Sequence, residues 1–455
     1  MKKWLILVGV LLLTVSCVKQ NVKPVANNCD CKQLASNPTQ KPESSPNNID
    51  IKPVIPANTP DYALLKPATW EDIDGFASDD LSAAWPAWLQ SCGTLKNKVQ
   101  INQTSWQAAC NAAFALKQPK NASIIDYLTD YFNVYAATNA DGSDTGLVTG
   151  YYEPLLKGSR TKSANYLYPL YKQPADLITV ELAELYPELK GKRVRGKLVQ
   201  DKEGHNKLIP YATRADIESA PTPLAGHELV WIDDLVDGFF LQVQGSGIIK
   251  FENGQQMHVG YADQNGHTYN SIGRILIERG ELTKDQAGMQ GIKNWARINP
   301  AKLRELLNAN PSYVFFTELP VGLSGPLGAL GVPLAAERSV AVDPKYVPLG
   351  APIFLSTTQP NTPSPLKRLM VAQDTGGAIK GGVRADYFWG AGDAAGKMAG
   401  SMKQQGKIWV LLPKGFVLPN QWVSYAKKGF CISFVIISAK QKGRIKHPFF
   451  CSKNK

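Results

Sequence analysis

The sequence is short of the residues and motifs that build metal and phosphate sites. Its 455 residues include five scattered histidines and seven cysteines, no two of which are spaced as CxxC. There is no HExxH motif, so a zinc site is not expected. There is no GxxxxGK[ST] motif either, so the glycine-rich stretches do not predict a phosphate loop. We therefore expect no metal site.

Acidic residues are absent from residues 421–455, which carry eight Lys or Arg. Without these eight and without Lys2 and Lys3, the net charge of +12 falls to about +2. A basic balance confined to one end of the chain does not predict a groove for nucleic acid. Residues 419–455 form an atypical basic tail. A solvated end, weak binding to anionic lipid and a shifted reading frame remain alternatives for it.

Long apolar runs are also scarce, and the one at the N-terminus indicates export rather than a membrane span. Lys2 and Lys3 precede the apolar residues 4–15, which is the pattern of a secretory signal peptide. The run CISFVIIS in the tail is too short to cross a bilayer. We therefore predict a signal peptide at residues 1–16.

Cys17 follows the apolar run and a small residue, as at a bacterial lipoprotein cleavage site. Thr14 stands where such sites usually have Leu, so an ordinary signal peptide with a coincidental cysteine is the alternative. Residues 17–63 are rich in Pro, Asn and Ser and predict a lipidated flexible tether. Val18 carries no signal for inner-membrane retention. We expect a lipid-anchored protein on the periplasmic face of the outer membrane of a Gram-negative bacterium.

Two cysteines, Cys92 and Cys110, lie in a part of the chain that has the pattern of a folded domain. In an exported protein such a pair predicts a disulfide, and two buried free thiols are the alternative. Cys431 and Cys451 lie in the basic tail, and the sequence leaves open whether they pair.

The hydrophobic pattern predicts a mainly β protein with some helices. LSAAWPAWLQSC, SWQAACNAAFAL and SIIDYLTDYFNVYAA have helical spacing. Short runs punctuated by Gly and Pro follow and predict strands, among them ELVWID, FFLQVQGSGIIKF and QQMHVGYAD. Three more helical segments separate these from a second set of strands that includes SVAVDP, RLMVAQD and KIWVLLP. Two β-rich domains with a ligand cleft between them fit this order.

The triplet Asp-Thr-Gly occurs twice, at Asp144 and at Asp374, as it would in a two-lobed aspartic protease. The two contexts are not mirror images, however. Asp374 ends an apolar strand, whereas Asp144 follows a polar turn and precedes the strand LVTGYY. We conclude that the chain is not such a protease and that Asp144 is an ordinary loop residue.

The stretch DTGGAIKGGVRADYFWG places Asp374 and Asp386 among glycines and next to three aromatic residues. Aromatic rings pack on the apolar faces of sugars, and a carboxyl group in a poorly solvated pocket stays protonated. This pattern favours a sugar-binding site with an acid. The alternative is an aspartate that caps a strand end, with the aromatic rings in the core.

Several motifs together resemble one known family. VTGYYEP, FLQVQGSGIIKF, YADQNGHTYNSIGR, NPSYVFF, SVAVDPKYVPLG and AQDTGGAIKG occur in the order found in the membrane-bound lytic transglycosylase A family, whose C-terminal domain is named for three aspartates. The resemblance covers residues 64–418. It implies a double-psi β-barrel formed by 64–153 plus 275–418, a second β-barrel domain inserted at 154–274, and a glycan groove between them.

The resemblance also implies a reaction. Enzymes of this family cleave peptidoglycan between N-acetylmuramic acid and N-acetylglucosamine and leave a 1,6-anhydro end, without water and without a cofactor. By resemblance, Asp386 is the catalytic acid, Asp374 is its hydrogen-bonded or electrostatic neighbour, and Asp343 orders a barrel loop. The pKa of Asp386 should be raised by burial or by the charge of Asp374.

Further residues match positions that line the family's groove. The candidates for glycan binding are Thr149, Gln244 and Ser246, with Tyr151 and Lys380 as weaker ones. The expected partners are peptidoglycan strands, the membrane through the lipid anchor, and other wall-remodelling proteins, but not nucleic acid. Two alternatives remain, a peptidoglycan-binding lipoprotein without activity and a hydrolase of another polysaccharide on the same scaffold.

Overall fold

A computed structural model describes residues 62–98, 102–182, 184–186, 189, 192 and 194–418, all within one compact unit, Ile55–Lys455. The predicted signal peptide, the lipidation site Cys17, almost all of the tether and the tail from 419 lie outside the described residues. Cys431 and Cys451 lie outside them as well.

The described part of the chain is mainly β with some helices, as the sequence predicts. The strands are β1 (Leu65–Ala68), β2 (Phe132–Ala137), β3 (Gly146–Glu153), β4 (Leu155–Ser159), β5 (Tyr168–Tyr171), β6 (Ile178–Thr179), β7 (Arg195–Gln200), β8 (Asn206–Pro210), β9 (Glu228–Ile232), β10 (Ser246–Phe251), β11 (Gln256–Gln264), β12 (Val314–Glu318), β13 (Ser339–Val342), β14 (Pro352–Thr358), β15 (Pro365–Asp374), β16 (Ala385–Ala391) and β17 (Lys403–Pro413). The helices are α1 (Trp85–Leu95), α2 (Gln103–Ala115), α3 (Asn121–Tyr131), α4 (Arg214–Ile217), α5 (Leu235–Gln244), α6 (Ile272–Glu278), α7 (Met289–Ile298), α8 (Pro300–Asn308) and α9 (Gly392–Ser401).

The helices α1 to α3 pack beside the first sheet. Pro86 lies in the first turn of α1, where its missing N–H costs nothing, and Trp88, Cys92 and Leu95 are buried on one face. A disulfide joins Cys92 of α1 to Cys110 of α2, with the Cα atoms 5.1 Å apart. The disulfide thus ties together two of the helices that lie between β1 and β2.

The first sheet contains eight strands in the order β1-β2-β17-β14-β15-β13-β16-β3, and β17 also pairs with β3. In β17 every residue from Ile408 to Leu412 is buried, which explains why KIWVLLP is continuously apolar instead of alternating. The strands that carry Asp374, Asp386 and Thr149, namely β15, β16 and β3, all belong to this sheet.

The chain leaves the first sheet after Glu153 and builds a second one. Six strands pair in the order β12-β11-β10-β4-β9-β5, and β6, β7 and β8 form a separate small sheet. The second sheet has its own buried cluster, which includes Val230, Ile249 and Val259. The helices α5 to α8 share another buried cluster.

Two segments differ from the pattern predicted above. The segment SIIDYLTDYFNVYAA is helical only as far as Tyr131; its second half is β2, whose buried Phe132 and Val134 alternate with exposed or half-buried neighbours. The residues FFLQVQ lie in α5 rather than in a strand. Asp234 caps that helix by accepting a hydrogen bond from the Asp237 N–H. The hydrophobic run alone could not distinguish a buried helix from a buried strand.

Candidate active site

The site is built on one row of residues that crosses four strands. Ala341 of β13 is in register with Asp374 of β15 on one side and with Asp386 of β16 on the other, and Asp386 is in register with Thr149 of β3. Residues in register on neighbouring strands project from the same face of a sheet. Two carboxyl groups and a hydroxyl group therefore share one face, and the small side chain of Ala341 leaves room between the two acids.

A β-bulge places Asp374 on that face. Val340 pairs with Ala372, whereas the next residue of β13, Ala341, pairs with Asp374, so Gln373 is the extra residue of β15. The Gln373 side chain turns into the core, where its amide donates to the Ala87 carbonyl and accepts from Ser339 Oγ. Without the bulge the residue opposite Ala341 would be Gln373, so the irregularity directs the acid into the site.

Asp386 has one carboxyl oxygen held by the protein. Thr149 Oγ1 lies 2.5 Å from Asp386 Oδ1 and donates to it. Among the described residues, Oδ2 of Asp386 has no hydrogen-bond partner. Burial is the leading cause of a raised pKa at Asp386, and the charge of Asp374 adds a smaller upward effect, while Thr149 and the positive charge of Arg384 oppose it. Of the two causes expected from the sequence, burial is therefore the stronger.

Asp374 has both oxygens held. The backbone N–H of Ala329 donates to Oδ1 at 2.9 Å, and the Tyr151 hydroxyl donates to Oδ2 at 3.0 Å. Burial raises the pKa of Asp374, although these donors and the backbone N–H of Thr375 work against it. Burial together with the two nearby carboxyl groups also raises the pKa of Tyr151 well above its usual value, so the phenol remains a donor.

Arg384 is a member of the site that the sequence motifs did not identify. Its guanidinium donates to Thr149 Oγ1 at 2.9 Å, to the Leu147 carbonyl at 3.2 Å and to the Ala385 carbonyl. A signal for it was present in the sequence, because Arg384 stands two residues before Asp386 and so faces the same side of an extended chain. Ala329 gave no such signal, since it contributes through its backbone alone.

Asp343 holds a loop next to the site and makes no hydrogen bond to either acid. Its carboxylate accepts from the backbone N–H groups of Lys345, at 3.2 Å, and Gly381, at 3.0 Å. The second bond fixes the segment that leads from Asp374 to Asp386. Lys380 lies in that same segment, exposed, one residue before Gly381.

The helix α5 brings Gln244 to the site strand β3. Gln244 is the last residue of α5, and its Oε1 accepts from the backbone N–H of Tyr152 at 3.1 Å, next to Tyr151. Gly245 then adopts a left-handed conformation with φ of 84°, and Ser246 begins β10, half-buried. Gln244 is thus tied to β3, and Ser246 follows it at the start of β10.

The two Asp-Thr-Gly triplets serve different structures. Asp144 is exposed before β3, and its carboxylate accepts from Lys407 Nζ at 2.8 Å. Its ion pair with that lysine lowers its pKa, the opposite direction to Asp374. The two residues therefore do not form a protease-like carboxyl pair.

One group of possible metal ligands occurs in the described part of the chain, away from these strands. Asp201, Glu203 and His205 meet on the exposed turn between β7 and β8. The Asp201 carboxylate already lies 2.9 Å from Lys207 Nζ and accepts two backbone N–H groups. A cation would have to compete with that lysine.

Two family models match the chain. The MltA specific insert domain matches residues 147–317, and the 3D domain matches residues 338–412. The second match contains Asp343, Asp374 and Asp386, and the first contains Thr149, Tyr151, Gln244 and Ser246.

Named proteins match along most of the chain. Membrane-bound lytic murein transglycosylase A of Escherichia coli K12 is 35% identical over 332 residues, which cover 71% of this chain and 73% of that protein. The protein of the same name from Vibrio cholerae is 32% identical over 289 residues, 62% of this chain and 69% of that protein.

Solved structures are similar as well. MltA from Neisseria gonorrhoeae, at 36% identity, covers 80% of this chain and 98% of its own, with a TM-score of 0.67. The lytic transglycosylase LtgG of Burkholderia pseudomallei, at 45% identity, covers 77% and 96%, with a TM-score of 0.52. E. coli MltA with bound chitohexaose, at 28% identity, covers 72% and 89%, with a TM-score of 0.54. The chain belongs to the membrane-bound lytic murein transglycosylase A family.

Proposed function

We propose that this enzyme, a peptidoglycan lytic transglycosylase, uses Asp386 first as a general acid and then as a general base. It cleaves the β-1,4 bond between N-acetylmuramic acid and N-acetylglucosamine and forms a 1,6-anhydromuramyl end. The observation that carries the proposal is the asymmetry of Asp386. Its Oδ1 accepts from Thr149, while within the described residues its Oδ2 has no protein partner. A carboxyl group with a raised pKa can carry its proton on that free oxygen.

The reaction balances without water. Asp386 gives its proton to the bridging oxygen as the bond between that oxygen and the muramyl C1 breaks. The muramyl C6 hydroxyl then bonds to C1, and its proton passes to the Asp386 carboxylate, which restores the acid. Holding the C6 hydroxyl near C1 replaces a bimolecular attack by an intramolecular one.

Asp374 has a supporting role in this proposal. Most glycosidases need a second carboxyl group as a base or a nucleophile. Here both oxygens of Asp374 are engaged, one by Ala329 N–H and one by the Tyr151 hydroxyl. We assign Asp374 an electrostatic effect on Asp386, which stays protonated more readily beside it.

The glycan is proposed to lie in a groove between the two sheets. The E. coli relative has been solved with bound chitohexaose, which supports a glycan ligand for this chain. Tyr151 is half-buried beside the acids, and its ring packs on the buried ring of Phe388, with ring centres 5.1 Å apart. The proposed glycan-binding residues are Thr149, Tyr151, Gln244, Ser246 and Lys380, and Asp343 is proposed to order the segment that carries Lys380.

The domain division is also a proposal. Six strands of the first sheet each pair with the next one in the spatial order β17, β14, β15, β13, β16, β3, and β3 also pairs with β17. This pairing supports a six-stranded double-psi barrel. The family resemblance by itself predicts that the inserted barrel domain ends at residue 274. Because β12 pairs with β11 in the second sheet, we propose that the insertion runs from residue 154 to about Glu318.

The sequence and the names of the relatives support a proposal for the cellular location of the enzyme. The relatives are named membrane-bound, which supports attachment of this chain to a membrane. In the described part of the chain, none of the helices has the length and apolar character needed to span a bilayer. We propose attachment through lipid on Cys17, on the periplasmic face of the outer membrane, with peptidoglycan and other wall-remodelling proteins as partners.

The proposal is tested with Asp386→Asn and purified sacculi. We expect that variant to keep the thermal midpoint and to lose about 10²–10⁴-fold in rate, the usual contribution of general acid–base catalysis. Asp144→Asn, in the other Asp-Thr-Gly triplet, is the matched control and should keep its rate. Mass spectrometry of the wild-type products should show anhydro ends.

Three results would contradict this function. Full activity of Asp386→Asn would show that Asp386 is not the catalytic acid. Muramic acid with a reducing end would make the enzyme a hydrolase. Binding to sacculi without release of any fragment would make the chain a binding protein.

A further inference from the structure

Arg384 is linked to Asp386 through the side chain of Thr149. Among the described residues, no other charged donor is linked to Asp386 through an intermediate side chain. Its Nη2 donates to Thr149 Oγ1 at 2.9 Å, and Thr149 Oγ1 lies 2.5 Å from Asp386 Oδ1. The three residues belong to two neighbouring strands or their immediate ends, since Thr149 and Asp386 are cross-strand partners and Arg384 precedes β16. The order Arg384, Thr149, Asp386 is therefore a chain of two hydrogen bonds.

The direction of the second bond follows from the first. A guanidinium group has donors and no acceptor, so Thr149 Oγ1 must accept from Arg384. A hydroxyl group has one proton and two lone pairs, and the positive guanidinium bound to one lone pair of Thr149 disfavours acceptance of a second proton from Asp386. The proton of Thr149 therefore points to Asp386 Oδ1. When the carboxyl group of Asp386 is neutral, the oxygen that accepts this hydrogen bond is its carbonyl oxygen. The acid proton of Asp386 is left on Oδ2.

We propose that Arg384 is a positioning residue that acts through Thr149 to keep the proton of Asp386 on Oδ2, the oxygen that has no partner among the described residues and is left to protonate the glycosidic bond. The inference rests on the proposed role of Asp386 as the acid. If Arg384 were absent, the Thr149 hydroxyl could rotate and accept a proton from Asp386 instead. The carboxyl group would then spend part of its time with its proton turned away from the substrate.

The guanidinium is itself fixed, which the proposal requires. It also donates to the backbone carbonyls of Leu147, on the site strand β3, and Ala385, the residue before Asp386. A planar fork with several donors can make these bonds together, whereas a lysine ammonium would not reproduce them. The orientation of Thr149 is thus set by a group anchored to both strands that carry the site.

A double-mutant cycle separates a positioning role from an independent one. The four proteins are the wild type, Arg384→Ala, Thr149→Val and the double variant, with initial rates measured on soluble glycan strands of defined length. We expect Arg384→Ala to lower kcat by about 10²-fold, the scale of a lost alignment, with KM changed less than about 3-fold. In the Thr149→Val background, the same substitution should change kcat by less than about 3-fold.

Two further variants guard against a purely structural effect. Thr149→Ser keeps the hydroxyl group and should lose far less activity than Thr149→Val. Arg384→Lys keeps the charge but not the fork, and should recover only part of the loss. If Arg384→Ala does not fold, as judged by its thermal midpoint, Arg384→Gln replaces it in the cycle.

The outcomes are distinct. Three results would each overturn the proposed positioning role of Arg384. They are an equal loss of kcat from Arg384→Ala in both Thr149 backgrounds, an effect confined to KM, and full recovery of kcat by Arg384→Lys. The products of the residual activity test the proposed function separately. Anhydro ends from Arg384→Ala leave that function standing even where the cycle shows no coupling, whereas reducing ends from the wild type would overturn the function itself.

Discussion

At the scale of single residues, Glu153 is a titratable group on β3 that is more deeply buried than Thr149 and Tyr151 on the same strand. It lies two residues beyond Tyr151 and four beyond Thr149, on the same face of β3. Unlike them it is almost fully buried, and its Oε1 lies 3.5 Å from His258 Nδ1 of β11. Within the described residues neither of these two atoms has a hydrogen-bond partner. Burial raises the pKa of Glu153 from its ordinary 4.5 to about 7.

This shift predicts how stability depends on pH. Between pH 4.5 and about 7 the folded state binds more protons at Glu153 than the unfolded state does, so stability falls as the pH rises through that window. Above pH 7, where Glu153 is ionised, its burial lowers the free energy of unfolding by at most about 3 kcal/mol. We expect Glu153→Gln to be more stable than the wild type at pH 8 and to lose this advantage below pH 4.5, by urea denaturation.

Glu278→Gln is the control for Glu153→Gln, because the side chain of Glu278 is 66% exposed. It should leave the free energy of unfolding unchanged within about 0.5 kcal/mol at either pH. A Glu153→Gln variant that is less stable than the wild type at pH 8 would contradict the prediction. It would show that the folded protein stabilises the ionised form of Glu153.

At the scale of elements, the position of β3 depends on the absence of a side chain at Gly150. A Cβ added there would lie 2.6 Å from Trp389 Nε1 and 2.9 Å from the Cα of Ala399 in α9. The second of these atoms is backbone and cannot rotate away. The glycine thus lets α9 pack directly on the strand that holds Thr149 and Tyr151.

We expect Gly150→Ala to push β3 away from α9 and so to move Thr149 relative to Asp386. Overpacking of this kind costs about 1–3 kcal/mol, and a displacement of about 1 Å at the site can lower the rate about 10²-fold. Gly400→Ala is the matched control, since a Cβ at Gly400, also in α9, meets nothing within 4 Å. It should be neutral or more stable by up to about 1 kcal/mol. Equal thermal midpoints and rates for the two variants would refute this interpretation of β3.

The element scale also shows what the sequence could and could not predict. The strands around Asp374 and Asp386 follow from short apolar runs, and the motifs placed both acids and Thr149 in one family pattern. The bulge at Gln373 could not be predicted, because it depends on the core partners Ser339 and Ala87. The hydrogen bond from the Ala329 N–H could not be predicted either, because the donor is a backbone group 45 residues away and does not depend on the side chain.

At the scale of the whole molecule, a buried ion pair joins the segment before α1 to the residue that precedes β13, the strand between those that carry the two acids. Asp79 accepts two hydrogen bonds from the Arg338 guanidinium, at 2.7 and 3.0 Å, and a third from the Leu369 N–H at 2.7 Å. Both side chains are about 5% exposed or less. Arg338 immediately precedes β13, the strand that carries Ala341. The contact joins residues that are 259 positions apart in the sequence and holds the start of β13.

The last prediction concerns this ion pair. Asp79→Ala would leave Arg338 buried without its carboxylate, which typically costs about 3–5 kcal/mol. Asp74→Ala, which breaks the pair between Lys367 and an aspartate with a 73% exposed side chain, should cost less than about 1 kcal/mol. Chemical unfolding of both variants measures the difference. The double variant Asp79→Leu with Arg338→Met should recover most of the loss, because it removes both charges. If Asp79→Ala cost no more than Asp74→Ala, Arg338 would have to reach water in the folded protein, and the segment before α1 would not be held to β13 by this pair.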